Sequence, residues 1–235
     1  MKNYLRGIGM LKYAIFDLDD TLLDFKKGER IKATEVLRKY GVQDLTTGLA
    51  TYTKINQQVW EAIEQGAPRD QVLKTRFSKT FAALGVDGDG VAAEREYRQR
   101  LATSYYQFEG AQALLRDLKS AGIRLMVGTN GVKKTQLSRL AGSKLDQYFI
   151  DCFISEDVGY AKPDERFFAP IKHKYADMSF QNTAMVGDRL QSDILGANQA
   201  GFKSIWYNPQ QIAVDAPIKP TAVAHSYDQL RELML

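Results

Sequence analysis

Asp17 and Asp19 stand two residues apart in the segment Phe16-Asp17-Leu18-Asp19-Asp20-Thr21-Leu22, directly after the strand-like run Leu11-Lys12-Tyr13-Ala14-Ile15. In extended chain the two carboxylates point to the same side, and like charges at close range raise one pKa. A divalent cation relieves that repulsion. Cys152 is the single cysteine and His173 and His225 are the two histidines, which excludes an internal disulfide and zinc chemistry of the Cys/His type. Any metal must then be held by oxygen, which favours magnesium. Further candidates for chemistry are Thr129-Asn130-Gly131, Lys162, and the run Gly187-Asp188-Arg189-Leu190-Gln191-Ser192-Asp193. Each has a plain reading as well: Thr-Asn-Gly is a common turn, and Lys162 before Pro163 suits a solvated helix start.

The elements around these residues suggest what brings them together. From Gly110 onward helical and strand patterns alternate, which argues for a parallel sheet covered on both faces. Strands are expected at 123–128, 152–154, 183–186 and 204–207, and helices at 111–121, 133–141, 163–175, 191–200 and 227–233. Residues 208–220 read as a loop. In an open parallel sheet, ligands bind at the carboxyl ends of the strands. Asp17 and Asp19 follow the first strand, Thr129 the second, Lys162 lies shortly after the third, and Asp188 follows the fourth, so the groups converge on one rim.

Between about 28 and 108 the apolar residues keep helical spacing instead. Ala33, Val36, Leu37 and Tyr40 form one stripe, and Tyr52, Ile55, Val59 and Ile63 a second. Gly41 and Gly66 are plausible stops, Pro68 opens a third helix that runs to Gly85, and a fourth spans 90–106. The expected fold is therefore α/β, a Rossmann-like core made of residues 1–24 and 109–235, with an all-helical cap inserted at 25–108.

Composition narrows the classes. The hydrophobic fraction, 44% of 235 residues, is ample for a buried core, and the longest apolar runs are far short of a membrane span. Lys and Arg are interspersed with acids rather than clustered, so a net charge of +4 suits attraction of a small anion better than a nucleic-acid interface. The amino terminus lacks a signal-peptide pattern, which leads to the expectation of a cytoplasmic protein; residues 1–9 are read as an extension without function.

Asp17-Leu18-Asp19-Asp20-Thr21, Thr129-Asn130, Lys162 and Gly187-Asp188 with Asp193, in this order, resemble the four signatures of the haloacid dehalogenase superfamily. Ser155 to Pro163 and Ser192 to Ala197 are similar to further segments of that family. The resemblance implies a phosphatase in which Asp17 is the nucleophile and Asp19 the general acid and base. It implies Mg²⁺ held by the Asp17 carboxylate, the Asp19 backbone carbonyl and Asp188, with Asp193 an outer partner. The Thr129 hydroxyl and the Asn130 backbone amide would bind phosphoryl oxygens, and Lys162 would add positive charge. Asp20, at a variable position, is read as structural. Dehalogenases lack the equivalent of Asp19, so its presence points to phosphoryl chemistry.

The insert lies where a type 1 cap of that superfamily would lie, and such caps close over the site, with hinges here near Phe25 and Phe108. Val59-Trp60, Gln65-Gly66, Leu73 and Arg76-Phe77, with Ile154 to Gly159 and Trp206-Tyr207-Asn208, resemble the nucleotidases that act on pyrimidine nucleoside 5'-monophosphates, noncanonical ones included. Trp60 and Arg76 are the substrate-contact candidates. Against this, Trp60 adjoins an apolar stripe, Arg76 suits an ion pair, and Phe77 belongs to the core of the third helix. A sugar phosphate or phosphoglycolate phosphatase is the alternative enzyme. A regulatory protein without turnover is disfavoured by the presence of Asp17, Asp19, Thr129, Lys162 and Asp188 together.

Overall fold

The computed structural model describes residues 8–213 and 217–235. Most of the 1–9 extension and the middle of the 208–220 loop therefore lie outside the described residues. The chain divides into two compact units, Met1–Asp24 with Gln107–Leu235 and Phe25–Tyr106. The second crossing falls before Gln107 rather than after Phe108. Gln107 bridges to Leu23 and donates to the Ser143 carbonyl at 2.6 Å, and Phe108 N donates to the Leu22 carbonyl, so both residues are tied to the larger unit.

The larger unit is built on a six-stranded parallel sheet. Its strands are β1 (Tyr13–Phe16), β2 (Arg124–Thr129), β3 (Phe149–Ile154), β4 (Thr183–Gly187), β5 (Lys203–Tyr207) and β6 (Ala222–Ala224). Their spatial order is β3-β2-β1-β4-β5-β6, with β1 central: Phe16 pairs with Val127 of β2 and with Val186 of β4. All four side chains of β1 are buried because the sheet is covered on both faces. Ala14 and Phe16 join one apolar cluster with Leu125, Val127 and Val186, while Tyr13 and Ile15 join the other with Met126, Met185, Phe167 and Phe168. This alternation is the period-2 signature of a strand.

The smaller unit holds α1 (Phe25–Lys39), α2 (Leu45–Glu64), α3 (Arg69–Leu73), α4 (Arg76–Leu84) and α5 (Gly90–Leu101). Asp44 and Asp89 cap α2 and α5, each accepting hydrogen bonds from the backbone amides of the second and third helical residues. The single helix expected from Pro68 to Gly85 is broken at Lys74 and Thr75, where the Thr75 hydroxyl bonds back to the Val72 carbonyl at 2.7 Å. The last helix stops at Leu101 rather than 106, as Ser104 N turns back to the Leu101 carbonyl. Tyr52, Phe77 and Tyr97 meet at the centre with ring centroids 4.9 to 5.6 Å apart.

The remaining helices belong to the larger unit: α6 (Ala111–Ser120), α7 (Lys133–Gly142), α8 (Ser155–Val158), α9 (Ala169–Lys174), α10 (Leu195–Gln199) and α11 (Tyr227–Met234). Among the described residues no helix is long and apolar enough to cross a membrane.

Candidate active site

Asp17 follows β1 directly and donates its backbone N–H to the Val186 carbonyl, so the sheet ladder fixes its position. Past Asp17 the chain reverses within one turn: the Leu18 carbonyl accepts from both Leu22 N and Leu23 N, and Asp20 sits in the left-handed region at φ 56°. Aspartate tolerates that region better than most side chains. Asp20 thus shapes the loop that carries Asp17 and Asp19.

Lys162 reaches Asp17 from the loop after α8. It is 1% exposed, and its Nζ donates to Asp17 Oδ1 at 2.8 Å, Asp193 Oδ1 at 2.6 Å and the Gly128 carbonyl at 2.5 Å. Burial works against its charge, yet Asp17 and Asp193 outweigh that effect and raise its pKa, so the ammonium stays protonated. For Asp17 the balance differs. Burial raises its carboxyl above the usual range, Lys162 opposes the rise, and Asp193 and Asp19 add to it.

Asn130 holds the Lys162 backbone reciprocally: its Nδ2 donates to the Lys162 carbonyl at 2.9 Å and its Oδ1 accepts from Lys162 N at 2.8 Å. The amide of Asn130 was the expected functional group; its side chain has this further task of joining the end of β2 to the lysine loop. Thr129, 1% exposed, ends β2, and its Oγ1 accepts from Gly131 N at 3.2 Å.

Asp193 lies in a π-helical turn, Leu190–Ile194, that follows β4. Such turns are rare and occur often at functional sites. Here the extra residue per turn brings Asp193 Oδ2 to Arg189 N at 3.1 Å while Oδ1 meets Lys162. A Cβ on Gly187 would stand 2.3 Å from Asp193 Oδ2, so only glycine lets that carboxylate lie against the strand end. The Asp188 carbonyl accepts from the Trp206 indole N–H at 2.8 Å, which ties its loop to β5.

Among the described residues, Asp17, Asp188 and Asp193 bring carboxylate oxygens within 4.8 Å of one another. An all-oxygen, anionic donor set of this kind suits a hard divalent cation. The two oxygens of Asp193 are already engaged by Lys162 and Arg189 N, which fits an outer partner better than a direct ligand.

Two residues that sequence reasoning passed over complete the arrangement. From α7, Arg139 forms an ion pair with Asp19 Oδ1, and Gln136 Nε2 donates to Asp19 Oδ2 at 2.9 Å and to Thr129 Oγ1 at 2.9 Å. Both are buried, at 1% and 2% exposure. The available signal was two polar residues three apart on one helical face, just after Thr129-Asn130-Gly131.

The two substrate candidates lie in the smaller unit. Arg76 takes the ion-pair alternative: it is 4% exposed, its Nε and Nη2 donate to Glu94, its Nη1 donates to Asn56 Oδ1 at 2.8 Å, and it lies over the Tyr97 ring. A buried guanidinium needs such partners, so its charge is used inside the unit. Trp60 is half-buried, with the Arg69 guanidinium 5.5 Å from its ring centroid.

Residues 11–201 match the family described as haloacid dehalogenase-like hydrolase. The chain is 36% identical over 224 residues to pyrimidine 5'-nucleotidase PynA of Streptococcus pneumoniae, covering 95% of this chain and 94% of that protein. It is 27% identical over 223 residues to pyrimidine 5'-nucleotidase YjjG of Escherichia coli, covering 94% and 97%. Among solved structures, the putative HAD-hydrolase YfnB of Bacillus subtilis, bound to magnesium, superposes with a TM-score of 0.89 at 33% identity, covering 96% of this chain and 99% of that one. With the sheet order, the strand-end carboxylates and the buried lysine in view, these matches make this chain a member of the haloacid dehalogenase-like hydrolases.

Proposed function

We propose that this hydrolase is a magnesium-dependent nucleoside 5'-monophosphate phosphatase that works through an aspartyl phosphate on Asp17. The observation that carries the reading is the ion triad Asp17, Lys162 and Asp193 at the end of β1, with Asp19 two residues on. Relatives named pyrimidine 5'-nucleotidase support the substrate class.

In this reading an Asp17 carboxylate oxygen attacks phosphorus and the bond from phosphorus to the ester oxygen breaks. Asp19 gives its proton to the departing alkoxide. Asp19 then takes a proton from water, whose oxygen attacks the same phosphorus and releases Asp17 and inorganic phosphate. Splitting the displacement in two lowers each barrier. Lys162 and the Thr129 hydroxyl offset the charge on the phosphoryl oxygens, and the Lys162 bond holds the orientation of Asp17. Asp17, Asp188 and the Asp19 carbonyl would hold Mg²⁺, which when bound supplies further neutralisation of the phosphate. Trp60 is the residue of the smaller unit that we propose for contact with the base.

The test is phosphate release with and without Mg²⁺ across nucleoside monophosphates, sugar phosphates and phosphoglycolate. Release should require Mg²⁺, favour pyrimidine nucleotides, and fall to the blank in Asp17→Asn with the fold retained. Preference for a sugar phosphate would keep the chemistry and discard the nucleotide; full activity of Asp17→Asn would eliminate the covalent route.

A further inference from the structure

Deepening the phosphatase reading on which it rests, we infer that Arg139 and Gln136 are positioning residues for Asp19, holding its carboxylate in the orientation for proton transfer and coupling it to Thr129. Each oxygen of Asp19 is met by a different side chain, Oδ1 by Arg139 and Oδ2 by Gln136. One contact would leave the carboxylate free to turn about its last side-chain bond, whereas two fix its plane. The two donors are themselves joined, Arg139 Nη1 to Gln136 Oε1 at 2.9 Å.

Exposure differs sharply across the pair. The Arg139 side chain is 1% exposed and that of Asp19 25%, so the carboxylate is gripped from the protein side while part of it faces solvent. An ionised carboxylate has about four lone-pair sites, so two bonds from α7 leave room for the proton that an acid and base must carry. Placement is what such a group must have, because proton transfer demands hydrogen-bond reach to the leaving oxygen and later to water.

Gln136 links this grip to the phosphate-binding end of β2, since its Nε2 also donates to Thr129 Oγ1. The loop makes way for that reach: a Cβ on Gly131 would stand 2.3 to 2.4 Å from the Gln136 side chain. α7 begins soon after Thr129, and Gln136 and Arg139 lie three apart on it, so one rigid element sets both the acid and the phosphoryl-binding hydroxyl. Stability alone is a poor reason for the arrangement, because a buried ion pair is often no better than an apolar pair of the same volume.

The experiment is a double-mutant cycle. Arg139→Met, Arg139→Lys and Gln136→Met are made in the wild type and in Asp19→Asn, and kcat and KM are measured with an alkyl phosphate monoester and with 4-nitrophenyl phosphate. In the wild-type background kcat should fall by about 10-fold or more with KM nearly unchanged, a part of the ~10²–10⁴ that acid–base catalysis supplies. Arg139→Lys should recover part of the loss. The fall in kcat/KM, which reports the first step, should be larger on the alkyl ester, because 4-nitrophenolate departs without a proton. In Asp19→Asn the same substitutions should lower kcat by less than about twofold, because their effect runs through Asp19.

Losses that multiply in the two backgrounds, or losses in kcat/KM that are equal on the two esters, would overturn the inference and leave the phosphatase reading standing. A wild-type enzyme inert on both esters and on nucleoside 5'-monophosphates would bring down both. If Arg139→Met fails to fold, Gln136→Met and Arg139→Lys carry the cycle.

Discussion

Lys162 is the residue on which the site turns. Three oxygens surround its ammonium, two of them carboxylates that would otherwise face each other in a buried space. Removing one partner of a buried ionic cluster leaves uncompensated charge, which costs about 3–5 kcal/mol. Lys162→Met should therefore lose turnover and also lower unfolding free energy by about that amount, read by urea denaturation against wild type. A variant as stable as wild type would mean that the carboxylates do not depend on this cation. The residues that form the triad were legible in the sequence because their spacing along the chain resembles a known pattern. Arg139 and Gln136 were not, because an isolated polar pair on a helix reads as surface until the fold shows the helix face turned to Asp19. For Arg76 the sequence left an anion contact and an ion pair both open, and the ion pair is with Glu94, eighteen positions along the chain.

At the scale of elements, apolar periodicity located the helices and strands, and local hydrogen bonding set their ends. The break between α3 and α4 depends on Thr75, whose hydroxyl bonding to the previous turn leaves no mark in a hydrophobic stripe. The π-helical turn at Leu190–Ile194 was equally invisible, because the Asp193 carboxylate that gains from it is held by Lys162, thirty-one positions back along the chain. The smaller unit makes a prediction of its own. Tyr52 and Tyr97 are buried among its helices, and burial raises both phenols well above the ordinary range. In the unfolded chain they ionise near pH 10, so the folded form keeps protons that the unfolded form releases. Their contribution is fully present below about pH 10 and is lost as pH rises, by up to about 1.4 kcal/mol per pH unit for each phenol. The buried Tyr52 hydroxyl has at most a weak contact with the Tyr97 phenol. Tyr52→Phe should thus be within about 1 kcal/mol of wild type near neutral pH. Between pH 10 and 11 it should lose less stability than wild type by about 1 kcal/mol. Parallel losses in the two proteins would show that Tyr52 ionises without unfolding.

At the scale of the whole molecule, one sheet is assembled from two stretches of chain separated by a self-contained helical unit. The alternation of strands and helices after Gly110 made that plan legible. β6 escaped because Ala222–Ala224 is short and follows a polar stretch, and it becomes a strand only by pairing with β5. Each unit has an apolar core of its own, and the two tryptophans fall one in each, Trp60 in the helical unit and Trp206 on β5. Trp206 also donates to the Asp188 carbonyl, so it reports from beside the proposed metal carboxylates. A ligand that binds only the folded form stabilises it by about 2.7 kcal/mol at a hundred times its dissociation constant. In Trp60→Phe, Trp206 fluorescence should therefore show a melting transition that rises with added Mg²⁺, and Asp188→Asn in the same background should weaken that rise. Ellipticity, dominated by helices of both units, should contain a component that Mg²⁺ leaves in place if the units melt separately. A Trp206 transition indifferent to Mg²⁺ would remove the metal from the proposed function, whereas a single transition shifted as a whole would keep the metal and show that the two cores unfold together.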